Sequence, residues 1–280
     1  MEKTAPLHIL LTNDDGHLAP GIRALHHALK QGGHRVSVVA PSNEQSATGM
    51  GVTSRRNLAL EQLETDYWHL DGQPVDTVLV ALHHLLEGKP PDLVLSGINF
   101  GPNLGASLHM SGTIGAAIMA TLNGIPSIAV SAGMRFDEVE SRFPSTHSVL
   151  GEAAEFTCSV IESLRASVGK KGRLLPKKVL LNINYPPFPK DRIKGVLHPR
   201  VSTGNMVQLG YHRCTESGQV VPGFYAGVDP QQPQKEAGDV RAHLERYITI
   251  STIKPSWNPP AKQAKKVEER LRALGRGFTF

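Results

Sequence analysis

The stretch His8-Ile9-Leu10-Leu11-Thr12-Asn13-Asp14-Asp15-Gly16 decides how the rest of this 280-residue chain is read. A short apolar run, too brief for a helix, stops abruptly at four polar residues and a glycine. A continuous apolar run bounded by turn signals marks a strand buried on both faces, as in a parallel sheet. The polar residues then stand at the carboxyl end of that strand. A secretory leader would stay apolar through Thr12 to Asp15, so no targeting segment is expected.

Working outward, the pattern repeats. Ile22, Leu25, Ala28 and Leu29 fall on one helical face, and Gly32-Gly33 ends that helix. Val36–Ala40 reads as a second strand, followed by a polar loop over 41–51. Pro74 starts a second helix with Val75, Val78, Leu79, Leu82 and Leu86 inward, closed by Gly88 and Pro90. Leu93–Leu95 is a third strand, Ile114, Ala117, Ile118 and Leu122 mark a third helix, and Ile128–Val130 a fourth strand. A longer helix is expected from about Ser148 to Leu164, and a strand over Lys178–Ile183. Strands apolar on both faces that alternate with helices imply an α/β fold. The expected architecture is a Rossmann-like, mostly parallel sheet with helices on both faces, its strand–helix loops gathered at one edge.

After Tyr185 the pattern changes. Pro186-Pro187-Phe188-Pro189, Pro230 and Pro233 punctuate short β-like runs, including Tyr247–Ile250, and Lys262 to Gly275 reads as a basic amphipathic helix with Val267, Leu271 and Leu274 on one face. The expected organisation is a core over 1–185 and an irregular β extension with a terminal helix over 186–280. Both belong to one domain.

Composition narrows the function. Forty per cent of residues are hydrophobic and twenty per cent charged, as in an ordinary globular chain. The 30 Lys and Arg against 25 Asp and Glu are weighted toward the last quarter, so the basicity is local and no nucleic-acid partner is expected. From Leu93 to Met134 there is no Asp, Glu, Lys or Arg, but Asn99, Gly101-Pro102-Asn103, Asn123-Gly124 and Pro126 break this run into pieces too short for a membrane span. Cys158 and Cys214 are too few for a disulfide framework and have no metal-ligand spacing, which fits a reducing cytoplasm.

Ligands of open parallel sheets bind outside the carboxyl ends of the strands. Those ends present Asn13-Asp14-Asp15, then Ser42, Asn43, Ser46 and Thr48, then Ser96 to Asn103. Asn-Asp-Asp-Gly taken alone is turn chemistry. At a partly buried strand end, however, two carboxylates repel by about 4 kcal/mol at a separation of about 4 Å. A cation would remove that cost. Ser46 and Asn99 add neutral oxygen donors, and an all-oxygen set favours Mg²⁺, Mn²⁺ or Ca²⁺ over zinc. Ser111-Gly112-Thr113 opens the third helix. It caps that helix and also offers N–H groups and a positive dipole end to an anion. A metal facing a phosphate-sized anion pocket points to metal-assisted phosphate hydrolysis. No Walker A loop, GxGxxG fingerprint or GxSxG elbow occurs. The pairs His26-His27 and His83-His84 read as ordinary helix residues.

These motifs resemble the survival protein E (SurE) family. The resemblance rests on Ile9–Gly16 with Ala19-Pro20-Gly21-Ile22, and on Val39-Ala40-Pro41 followed by Ser46. It continues in Ser96–Asn99 with Gly101–Gly105, and in Ser111-Gly112-Thr113 with Ala116-Ala117, all in the family's order. A weaker echo lies at Tyr247–Thr252. The resemblance implies a cytoplasmic 5'-nucleotidase that needs one divalent ion per subunit, Mg²⁺ or Mn²⁺, held by Asp14, Asp15, Ser46 and Asn99. Asp14, Asp15 and Asn99 are then the catalytic candidates, and Asn13, Ser111, Gly112 and Thr113 the phosphate-binding ones. It further implies a nucleoside monophosphate substrate, activity on 3'-nucleotides and short polyphosphate, and a homodimer or homotetramer built through the C-terminal arm. Two other readings remain open at this point. Gly16–Pro20 and Gly33–Val36 also look like the opening of two-domain glycosyltransferases, and a nucleotide-binding regulator without catalysis would carry the same motifs.

Overall fold

The computed structural model describes residues 5–168, 172–215, 218–226, 237–256 and 260–271. The chain runs through β1 (His8–Thr12), α1 (Pro20–Gln31), β2 (Arg35–Pro41), β3 (Leu60–Glu64), β4 (Tyr67–Leu70), α2 (Pro74–Val80), β5 (Leu93–Phe100), α3 (Gly112–Leu122) and β6 (Ser127–Ala132). It continues through α4 (Pro144–Val168), β7 (Leu180–Tyr185), β8 (Gly195–Leu197), β9 (Val207–Arg213), β10 (Val220–Ala226), α5 (Asp239–Leu244), β11 (Tyr247–Ile253) and α6 (Ala261–Leu271). Nine strands make one sheet in the order β3-β4-β2-β1-β5-β6-β7-β11-β8, and β9 pairs with β10 in a separate hairpin. From β4 to β7 every neighbouring pair is parallel; β3 and β11 pair antiparallel with β4 and β7. The expected α/β class and mostly parallel sheet are therefore present, with extra C-terminal strands and a terminal helix.

The apolar alternation explains the layers. Ile9 and Leu11 of β1 face α1 and α4, packing with Ile22, Leu25, Leu29, Val149, Ala153 and Ile161. Leu10 points the other way, into a cluster with Val78 of α2 and Ala116 and Ala120 of α3. Complete burial of each Leu, Ile or Val contributes about 1.5–3 kcal/mol. Residues on successive positions of β1 thus glue opposite helical layers, and the polar Asn13-Asp14-Asp15 is left at the strand's exit.

Several boundaries differ from expectation. β7 lies at Leu180–Tyr185 rather than Lys178–Ile183, and α4 extends beyond Ser148–Leu164 at both ends. The second helix does not run on as a regular α-helix; a π turn over Ala81–Leu85 follows Val80. Leu122, at the end of α3, is 58% exposed, and the small buried residues Ala116 and Ala120 let the helix approach the sheet. The β3–β4 hairpin was not expected, since its residues are largely polar and exposed. In α6, Val267 and Leu271 are uncovered in the single chain, while Leu274 and Gly275 fall outside the described residues, as do Pro230 and Pro233.

Past Tyr185 the chain returns to the same sheet through β11 and β8. Among the described residues no second α/β domain forms. No helix among the described residues is long and apolar enough to cross a membrane.

Candidate active site

Asp14 leaves the end of β1 and is 3% exposed. Its two oxygens face the start of α3. Oδ1 accepts from the Thr113 hydroxyl at 2.5 Å, and Oδ2 accepts from the Thr113 main-chain N–H at 3.1 Å. Gly112 makes this possible, since a Cβ there would stand 3.0 Å from Asp14 Cβ and 3.1 Å from Oδ2. The helix start therefore meets a carboxylate of the protein itself, where the positive end of the helix dipole favours negative charge. Burial nevertheless pushes the Asp14 carboxyl above its ordinary range, and the two Thr113 bonds counter only part of that.

Asp15 is half-buried, and its Oδ2 accepts from Phe100 N–H at 2.9 Å. Burial, and then the neighbouring Asp14 charge, push its carboxyl up to about 7. Asn13 donates from Nδ2 to Gly16 O at 2.9 Å, while its Oδ1 is buried with no partner among the described residues. Gln45 N–H donates to Asp14 O at 2.7 Å, which ties the loop after β2 to the end of β1. That loop brings Ser46 and Glu44 to the same place.

A cleft of about 580 Å³ opens here. Asp14, Ser46, Asn99 and Ser111 line it together, as expected; Asn103 joins them, but Asp15, Asn13 and Thr113 are not on its wall. Asn99 donates from Nδ2 to Gly101 O at 2.7 Å, which leaves its Oδ1 outside that bond. Ser111 Oγ accepts from Ile114 N–H at 3.1 Å and so caps α3. Of the four positions expected to receive phosphate, Ser111 is engaged as a cap, Thr113 is spent on Asp14, Gly112 supplies space, and Asn13 bonds the turn at Gly16. The remaining wall is apolar, with Phe100, Met134, Phe136, Val139 and Phe143 joined by Val207 and Leu209 of β9. Phe100 and Phe143 meet edge to face, with ring centres 5.9 Å apart.

Glu44, a second carboxylate on the wall, was missed by sequence reasoning, because a lone acid in a polar loop carries no pattern. Also missed were Asn182 and Asn184 of β7, which hold Asn103; their spacing of two in an otherwise apolar strand was the available signal. Among the described residues no Lys, Arg or His lines the cleft. Among the described residues, no three His, Cys, Asp or Glu are grouped to hold a metal. The candidate donor set is instead two carboxylates, a hydroxyl and an amide oxygen. Its hard oxygen chemistry fits Mg²⁺ or Mn²⁺, and a cation here would oppose the burial that pushes both aspartates upward.

Residues 9–208 match the family model described as survival protein SurE. A protein named 5'-nucleotidase SurE from Synechococcus elongatus is 36% identical over 260 residues, covering 88% of this chain and 93% of that protein. One of the same name from Carboxydothermus hydrogenoformans is 40% identical over 209 residues, covering 72% and 74%. The crystal structure of the SurE protein from Aquifex aeolicus superposes with a TM-score of 0.75 at 30% identity, covering 95% of this chain and 99% of that one.

Proposed function

The chain belongs to the survival protein SurE family, and from that premise we propose that it is a nucleotidase, a divalent-metal-dependent one that releases inorganic phosphate from nucleoside 5'-monophosphates. The name its relatives carry supports the reaction. The observation that carries it to this chain is the cleft itself, where Asp14 and Glu44 stand on a wall to which the described residues bring no cationic side chain, beside an aromatic face. A phosphate dianion would be repelled from such a wall unless a cation lay between, whereas a neutral ligand would need no such device.

Asp14, Asp15, Ser46 and Asn99 are the residues that would hold the ion, Mg²⁺ or Mn²⁺. When bound, it would supply Lewis-acid polarisation of a phosphoryl oxygen and cancel the repulsion between the aspartates. The chain's own groups do the rest. Thr113 and Gly112 lock the Asp14 rotamer, so the carboxylate needs no reorientation when substrate arrives. The amides of Asn99 and Asn103 and the hydroxyl of Ser111 line the cleft as neutral donors for phosphoryl oxygens, and Asn13 supports the turn behind them. Phe100, Phe143 and Leu209 give a nucleobase an apolar surface and exclude water from the reacting end.

The same donor set takes any phosphomonoester that reaches it, so 3'-nucleotides and short polyphosphate are included in the proposal. A homodimer or homotetramer through the C-terminal arm is included too, because Tyr211 and Val220 of the hairpin and Val267 of α6 expose apolar surface that a second copy would cover. A cytoplasmic location fits a chain with only two cysteines, Cys158 and Cys214. The test is phosphate release from a panel of nucleotides by protein stripped with chelator and resupplied with single metals. Release from 5'-nucleotides only with Mg²⁺ or Mn²⁺ is expected. Undiminished release in excess chelator, or binding without release under every metal, would overturn the reading.

A further inference from the structure

Asn182 and Asn184 lie on the same face of β7 and are fully buried, yet neither lines the cleft. Burying an amide without partners costs about 1–3 kcal/mol, so their partners show what they are for. Asn184 treats one residue as a neighbouring strand would. Its Oδ1 accepts from Asn103 N–H at 2.8 Å, and its Nδ2 donates to Asn103 O at 3.0 Å. Asn182 donates to the same carbonyl at 2.8 Å. Asn103 in turn donates from its own Nδ2 to Ser131 Oγ of β6 at 2.9 Å.

Four hydrogen bonds thus converge on a single cleft-lining residue. Residues 101–104 are buried and have no regular secondary structure, so their main chain cannot be satisfied by a sheet or helix ladder. Gly101 N–H donates to Ala132 O at 2.9 Å and Gly105 N–H donates to Asp239 Oδ2 at 3.1 Å, which fixes both ends of the segment. In the middle, the Asn103 main chain is held by β7, while its side chain reaches Ser131 of β6.

We propose that Asn184, seconded by Asn182, is a positioning residue for the phosphohydrolase reaction. By holding the Asn103 main chain, it sets the segment over 101–104 that follows Asn99 and carries Asn103 onto the cleft wall. The inference rests on the function proposed above. Asn184 touches no substrate and acts through Asn103.

The test compares full-length wild type, Asn184→Leu and Asn184→Asp, with folding followed by circular dichroism, kinetics on a 5'-nucleotide, and amide hydrogen exchange. Asn184→Leu removes both bonds to Asn103. It is expected to lower kcat at least tenfold per folded molecule while KM stays within threefold, and to speed exchange over 101–105 but not in β6. Asn184→Asp is the internal rescue. Its protonated carboxyl can accept from Asn103 N–H and donate to Asn103 O, whereas the ionised form turns an acceptor toward that carbonyl. Its activity relative to wild type should therefore climb as pH is lowered through the new group's titration. A kcat within twofold of wild type in Asn184→Leu would overturn the proposal. So would a loss matched by the unfolded fraction, or a flat activity ratio against pH in Asn184→Asp. Inactive wild type would sink the nucleotidase reading instead, and the exchange data would still report whether Asn184 holds the segment.

Discussion

Two pairs of polar residues lie at the same sheet edge, one fully buried and one with a half-buried member, and they are treated in opposite ways. Asn182 and Asn184 on β7 are neutral, and three of their four amide atoms are spent on the main chain of Asn103, with Asn182 Oδ1 left over. Asp14 and Asp15 at the end of β1 are acidic. Their hydrogen bonds from Thr113 and Phe100 do not offset burial, and both carboxyls are pushed upward, Asp15 to about 7. Reciprocated neutral groups are scaffolding. Carboxyls that burial pushes upward are groups whose charged form a bound cation would stabilise. The contrast marks the asparagines as support for the cleft and the aspartates as candidates for its chemistry.

The largest effect should come from removing that charge. Asp14→Asn keeps the shape, because Asn Oδ1 can take the Thr113 N–H while the Thr113 hydroxyl turns to accept from the new amide. Stability should be unchanged or raised, as a buried charge has been deleted. Turnover should fall at least a thousandfold, about 4 kcal/mol of transition-state stabilisation. Steady-state kinetics beside a urea titration checks both halves. Retained turnover would place Asp14 with the scaffolding pair.

How much of this was legible beforehand follows the same division. The alternation of Ile9–Leu11, Val36–Ala40 and Leu93–Leu95 with helical faces exposed the parallel sheet, because strands covered on both sides leave uninterrupted apolar runs. Asp14, Ser46, Asn99 and Ser111 were readable because strand exits carry their polar groups in short, dense clusters, and the structure brings these four to one cleft. The destination of Thr113 was not. A Ser-Gly-Thr helix start offers the same donors to a phosphate or to a carboxylate, and only the register of β1 beside α3 decides between them. Asn182 and Asn184 escaped notice for a related reason, since their partner is main chain 79 and 81 residues away, which no local pattern reports. The β9 side of the cleft was hidden too, as Val207 and Leu209 reach it from outside the sheet.

A third buried polar group sharpens the comparison, because it avoids both solutions. His243 on α5 is 2% exposed, with neither ring nitrogen partnered among the described residues. Burial pushes it down to about 4, so it stays neutral in the folded protein where an exposed histidine would be charged. Its ordinary value is 6.5. As pH falls below that, the unfolded chain binds a proton that the folded protein refuses, and stability is lost until pH reaches about 4. The loss attributable to His243 between pH 7 and pH 4 is about 3 kcal/mol. His243→Leu gives up no hydrogen bond and should flatten that acid limb by this amount in denaturant titrations at the two pH values. An unchanged slope would mean that the ring is solvated or partnered, as the asparagines are.

The smallest effect tests the apolar wall, where the comparison passes from polar groups to packing. Phe143 meets Phe100 edge to face at 5.9 Å, an arrangement worth about 0.5–1.5 kcal/mol beyond simple burial. Phe143→Leu keeps apolar volume but removes the ring. If the wall seats a nucleobase, KM for a purine 5'-nucleotide should rise about threefold to tenfold, which is about 0.7–1.4 kcal/mol. KM for ribose 5-phosphate, which has no base, should stay within twofold, and kcat should hold for both because the aspartate end is untouched. Equal weakening of both substrates would instead show that Phe143 supports the segment through Phe100, and would move this wall to the same side of the comparison as Asn182 and Asn184.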